Sequence, residues 1–112
     1  MKKWDIYWAY VKFDDKDGGK GRPVIIAEDN PDNIEPIICY KCTTSLGTKG
    51  VYQIEKWELA GLESRTAVIL NKTIALTLKD FGNKKRKGTL RFCDIQKIIK
   101  KLNIINKNKS NI

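Results

Sequence analysis

Arg22 stands directly before Pro23 and the apolar run Val24-Ile25-Ile26-Ala27, and directly after a polar, glycine-rich stretch, Asp14-Asp15-Lys16-Asp17-Gly18-Gly19-Lys20-Gly21. Proline fixes its own φ and drives the preceding residue toward extended geometry. Arg22 is therefore expected at a strand entrance, with its guanidinium presented rather than buried. A second polar cluster, Thr43-Thr44-Ser45, closes a later apolar run. The 112 residues contain no histidine, which removes the usual base of serine and cysteine hydrolases and every histidine-ligated metal site. Gly18-Gly19-Lys20-Gly21 has neither the spacing nor the following helix of a nucleotide phosphate loop. The groups left for chemistry are Arg, Lys, Asp, Thr, Ser and Tyr. That set suits a reaction whose nucleophile belongs to the substrate: attack of an RNA 2′-hydroxyl on its own neighbouring phosphate. The protein then has only to align the groups and stabilise charge on the phosphorane, and a planar guanidinium matches two phosphate oxygens at once.

Cys39 and Cys42 have the spacing of a metal or redox pair, but residues three apart on a strand point to opposite faces. Only Cys93 offers a third sulfur, so neither a metal site nor a cofactor is expected. Three cysteines, an odd number, fit a reducing compartment better than a disulfide framework. No apolar run reaches the length of a membrane span. The start, Met1-Lys2-Lys3-Trp4-Asp5, has no apolar segment of the secretory type, and the cytoplasm is the expected location. A formal charge of +9 and a pI near 9.5 favour a polyanionic partner.

The elements that must position Arg22 and Thr44 are short and mainly β. Asp5–Phe13 is aromatic and β-branched and reads as a strand. The polar loop makes a hairpin to Pro23–Ala27, a turn at 28–33 follows, and Pro36–Thr44 is the third strand. After a loop at 46–50, Val51–Ile54 alternates as a strand does, and Lys56–Leu62 reads as a short helical turn stopped at Gly61. Thr66–Leu70 and Thr73–Leu78 are two more β-branched runs. Asn83-Lys84-Lys85-Arg86-Lys87 reads as a basic loop, either a solvated charge run or a phosphate-binding patch. From Phe92 the period becomes helical, placing Phe92, Ile95, Ile98, Ile99 and Leu102 on one face. The expectation is one domain over residues 1–103, a small, highly curved β-barrel with a C-terminal helix, and a flexible Asn/Lys-rich tail at 104–112.

In order and spacing, the early aromatic strand, Gly21-Arg22-Pro23-Val24-Ile25-Ile26 and Thr43-Thr44-Ser45 resemble the MazF/PemK family of toxin endoribonucleases. Trp57 with Gly61-Leu62 and Ser64, the strand Ala67–Leu70, Gly88 with Leu90, and Asp94 in the last helix extend the resemblance over Trp4 to Leu102. It implies an SH3-like barrel, a homodimer, and metal-independent cleavage of single-stranded RNA that leaves 2′,3′-cyclic phosphate and 5′-hydroxyl ends. It also implies a cognate acidic antitoxin in the RNA groove, with operator DNA reached through the toxin–antitoxin complex. Carried over to this chain, the catalytic pair is Arg22, stabilising the phosphorane or protonating the leaving 5′-oxygen, and Thr44, bound to the scissile phosphate. Ser45 shapes the pocket, and Asp17, Lys20 and Lys49 are the further substrate-binding candidates. The chain departs from the family where Cys42 replaces a common proline, where Ala75 and Thr77 replace an Arg and an Asp used by some members, and at Arg91, where a serine cap is usual. Asp14, Asp15 and Asp17 are the candidates for a general base, by proximity to Arg22.

Two other classes stay open. One is a toxin of the same fold that poisons DNA gyrase by protein contact, which needs no catalytic arginine. The other is a plain RNA-binding barrel, with Trp4, Trp8 and Tyr52 as stacking platforms.

Overall fold

The alternating β-branched runs fold into one antiparallel sheet with a helix packed on it. A computed structural model describes residues 1–47, 49–83 and 85–110, with the last helical side chains described to Lys107. Its strands are β1 (Asp5–Lys12), β2 (Gly19–Ile26), β3 (Ile37–Thr43), β4 (Val51–Gln53), β5 (Ala67–Ile69), β6 (Ile74–Leu76) and β7 (Arg86–Thr89). A 3-10 turn, Leu78–Phe81, precedes β7, and α1 runs Phe92–Ser110. The sheet order is β4-β5-β3-β2-β1-β7, with β6 also paired to β3. The expected small mainly-β fold with a terminal helix is present. The curved sheet is open: no pairing between described residues joins its edges, β4 and β7.

Strand alternation sorts the core into two clusters. Ile6, Ile25, Tyr40, Cys42, Tyr52 and Val68 form one cluster with Leu62 and with Ile98 of α1. Tyr7, Ala9, Val11, Val24, Ile26 and Cys39 enter the second cluster, closed by Phe81 edge-on to Tyr7. Cys39 and Cys42 therefore do lie on opposite faces, each buried.

Three local expectations are corrected. Arg86–Thr89 is an edge strand paired with β1, although its charged residues were read as the end of a loop. Lys84 of that basic run, like Thr48 of the 46–50 loop, lies outside the described residues. On α1 the stripe against the core is Ile95, Ile98, Leu102 and Ile105, whereas Phe92 is 74% exposed and Ile99 is exposed too. At about 100° per residue, Phe92 and Ile99 lie roughly 100° and 80° round from the centre of that stripe. Finally, α1 continues through residue 103 to Ser110, so the expected domain boundary falls inside the helix; positions 111 and 112 lie outside the described residues.

Asp94, fully buried in the first turn of α1, ties the helix to the turn after β4. Its carboxylate accepts from the Tyr52 hydroxyl at 2.6 Å and from the backbone N–H groups of Glu55 and Lys56 at 2.9 and 3.0 Å. Burial, then this hydrogen bond, pushes the Tyr52 phenol above its ordinary pKa. Asp94→Ala strands three donors, and an unpaired buried polar group costs about 1–3 kcal/mol. The expected loss is on the order of 3–5 kcal/mol, read as a lower urea midpoint with an unchanged m-value.

Candidate functional site

Arg22 lies in the middle of β2, opposite Ala9 of β1, and not at a strand entrance, because the ladder to β1 already begins at Gly19. Its Nη1 donates to the backbone carbonyl of Cys42 at 3.3 Å, fastening the side chain to the end of β3 two residues before Thr44. The Nε is buried without a hydrogen-bond partner, and among the described residues no carboxylate pairs with this guanidinium. A buried donor without an acceptor is costly, so the site carries positive charge that the protein itself leaves uncompensated.

Arg22 and Thr44 line one cleft of about 230 Å³. Lys20 from β2, Thr43 from β3 and Trp8 from β1 complete its strand wall, and Glu63, Ser64 and Lys87 face them. The 62–66 segment is placed by the turn before it. Ala60 N–H donates to Lys56 O, Gly61 N–H to Glu58 O and Leu62 N–H to Trp57 O. The last two are the paired bonds of a Schellman ending, with Gly61 at φ +92 in the left-handed position. Lys87 arrives by a different device. β7 pairs Gly88 with Ile6 and Arg86 with Tyr7, leaving Lys87 as an extra residue in a β-bulge, a distortion that re-aims side chains beside functional sites. Its ammonium lies 2.8 Å from Glu63 Oε1, and that hydrogen bond holds the Glu63 carboxyl below the usual glutamate pKa.

No protein-family model and no curated protein sequence matches the chain. Its backbone matches the solved structure of Mycobacterium tuberculosis toxin MazF-mt6 with a TM-score of 0.66, over 90% of this chain and 96% of that one, at 16% sequence identity. The chain has the MazF fold.

Within this MazF fold the expected site residues separate. Arg22, Thr44 and Lys20 come together in the cleft; Asp17, Ser45 and Lys49 do not line it. Asp17 sits in the exposed bend at the hairpin tip. The Ser45 N–H turns back to Thr43 Oγ1 at 3.0 Å, and Lys49 is exposed in the turn that leads into β4. The candidate bases fare similarly. Asp14 is held by Lys41 at 2.7 Å and Lys72 at 3.0 Å, which lower its pKa from 3.8 to about 2, and none of Asp14, Asp15 and Asp17 lines the cleft. The carboxylate that does is Glu63. Its isolated position after Leu62 gave no sequence signal, because only the turn at 56–61 carries it back to β2.

Asp14 also predicts an acid response. Its folded pKa is depressed, so the contribution of the Lys41–Asp14–Lys72 cluster is present above about pH 4 and is lost as pH falls toward 2. Asp14→Asn is expected to flatten that part of the pH–melting-temperature curve, mainly through loss of the contact to the buried Lys41, since the exposed pair to Lys72 is screened and contributes little.

Proposed function

We propose that this chain is a toxin endoribonuclease that cleaves single-stranded RNA without a metal, through attack of the 2′-hydroxyl on the adjacent phosphate. The observation that carries the reading is the Arg22 guanidinium, unpaired by any described carboxylate and lining one cleft with Thr44 in a MazF fold. The new 2′-O–P bond forms as the P–O5′ bond breaks and the leaving 5′-oxygen takes a proton from Arg22 or from solvent, giving a 2′,3′-cyclic phosphate and a 5′-hydroxyl. Arg22 stabilises the added charge on the phosphorane oxygens, and Thr44 donates a hydrogen bond to the scissile phosphate. Glu63 accepts the proton of the attacking hydroxyl, while Lys87, already beside it, offsets negative charge at the phosphate.

As in that reading, a homodimer, a cognate acidic antitoxin covering the cleft, and operator DNA reached through their complex are the proposed partners. No helix among the described residues is long and apolar enough to cross a membrane. The direct test is mixed-sequence RNA incubated with the protein in EDTA, with the product ends identified chemically. Cyclic phosphate and 5′-hydroxyl ends are expected; 5′-phosphate ends, or a requirement for divalent metal, would overturn the mechanism. Glu63→Gln is expected to slow the cleavage step and remove the low-pH limb of the rate profile, with RNA affinity kept.

A further inference from the structure

β1 alternates as a strand must, yet its outward positions do not all reach the core. Ile6 is fully buried in the cluster with Ile98 of α1, while Trp8 and Tyr10 on the same face are 54% and 44% exposed. Two large aromatic rings left this open in a small domain need a reason, since burying them would stabilise the fold.

The neighbouring strand shows that their placement is built in. Tyr10 pairs with Gly21 and Lys12 with Gly19. A side chain at Gly21 would begin 2.4 Å from Trp8 Nε1, and one at Gly19 would begin 2.8 Å from Tyr10 Cζ and 2.4 Å from the Val11 carbonyl oxygen. The two rings therefore lie down over bare glycine backbone instead of standing upright from the sheet. The bulge adds a cation, with the Lys87 ammonium 5.8 Å from the Trp8 ring centroid.

Trp8 is also a junction. It lines the Arg22 cleft and an adjoining trough of about 850 Å³, and Gly21, Glu63 and Lys87 line both. Beyond Trp8 the trough is lined by Tyr10 and by Lys79, Lys85 and Arg86. Its other carboxylate, Asp80, is turned to the Thr77 N–H and hydroxyl, and Lys79, Lys85, Arg86 and Lys87 outnumber Glu63 and Asp80, so the wall has a net positive charge.

We propose that the open face of Trp8 is a nucleobase-stacking subsite, which carries an RNA strand from the Arg22 cleft into the basic trough beside Arg86. The chemistry selects the occupant. Aromatic platforms flanked by cations suit a ligand with flat π faces on an anionic backbone, and base–aromatic stacking is tolerant of sequence because every base has such a face. Phosphates of the strand then meet Lys85, Arg86 and Lys87. The cation–π contact of Lys87 with Trp8 orients the ring before the strand arrives.

This subsite rests on the RNA reading above only for the identity of the strand, and binding is measured apart from cleavage. The probe is a short mixed-sequence 2′-O-methyl RNA, which lacks the nucleophile, compared with an abasic strand of equal length and charge. The full-length protein is expected to bind the base-bearing strand about tenfold more tightly than the abasic one, within the range for a single stacked base. Trp8→Leu, which keeps an apolar cover on Gly21 but has no π face, is expected to remove that preference, and Trp8→Phe to keep most of it. Because the readout is a ratio on one protein sample, a partly folded variant does not change it. Equal binding of the two strands by the unaltered protein overturns the subsite, as does a preference that survives Trp8→Leu. A variant that shifts from dimer to monomer with its preference intact also overturns it, and marks this face as a protein interface. Base preference without cleavage of ordinary RNA supports the subsite while removing the endonuclease; cleavage without base preference does the reverse.

Discussion

Arg22→Ala is expected to reduce RNA cleavage by about 10²- to 10³-fold, the loss found when one preorganised donor to a developing oxyanion is removed. Under single-turnover conditions the fall belongs in the cleavage step, with binding weakened much less, because several lysines also hold the strand. Arg22→Lys restores little. An ammonium keeps the charge but loses the planar fork, and its donors all sit on one nitrogen, which cannot hold the Cys42 carbonyl and span two phosphate oxygens at once. Stability changes only modestly, since the variant gives up one part-buried hydrogen bond at 3.3 Å, about 1 kcal/mol, and also relieves the unpaired Nε. Cleavage equal to that of the unaltered protein would leave the guanidinium without a catalytic role and favour a toxin acting by contact alone.

Gly88→Ala is expected to be the most damaging single methyl in the chain. The added carbon would lie 1.8 Å from the Ala60 carbonyl oxygen, 2.8 Å from its carbon and 3.2 Å from the Gly61 Cα. All three are backbone atoms, so no rotamer change relieves the overlap. Gly61 cannot retreat, because its left-handed φ closes the Schellman ending and its own Cβ position is 2.5 Å from the Lys87 carbonyl oxygen. The strand and the turn must separate. Overpacking of this kind costs about 3 kcal/mol or more, a large share of the roughly 5–15 kcal/mol that holds a domain together. Chemical denaturation measures it, with Gly47→Ala, which meets nothing within 4 Å, as the control expected to stay within about 0.5 kcal/mol. Separation would also carry Glu63 and Lys87 away from Arg22, so residual folded protein should cleave poorly.

The long strands were legible because their signals are local: β-branched runs, the proline after Arg22 and the glycine that stops the turn at 61. Arg22 and Thr44 were legible for the same reason. β7 was not, since Arg86-Lys87-Gly88-Thr89 has no apolar period and becomes a strand only through its ladder to β1. As an edge strand it is rich in charge, which also blocks pairing with other chains. Phe92 and Ile99 were misplaced because apolar identity suggested a wider stripe than the sheet can cover. Glu63 was invisible for a topological reason, since it gains its neighbours from segments far away in sequence; Trp8 was legible only as one of three stacking candidates, and its place beside Arg22 was hidden for the same reason. Gly19 and Gly21 carried a trace of that arrangement, but alone they read as ordinary loop glycines.

The two buried thiols on β3 give the molecule a clock of its own. Burial raises both Cys39 and Cys42 to about 12, and alkylation proceeds through the thiolate, so neither reacts while the strand is in place. Cys93, half-buried on α1, supplies the reference rate. The Cys42 carbonyl is the one that anchors Arg22; modification of that thiol therefore counts the moments when β3 lifts and the anchor lets go. Comparing its rate with that of Cys39, on the opposite face of the same strand, separates opening toward the helix from opening of the whole sheet, without a label being added to the protein.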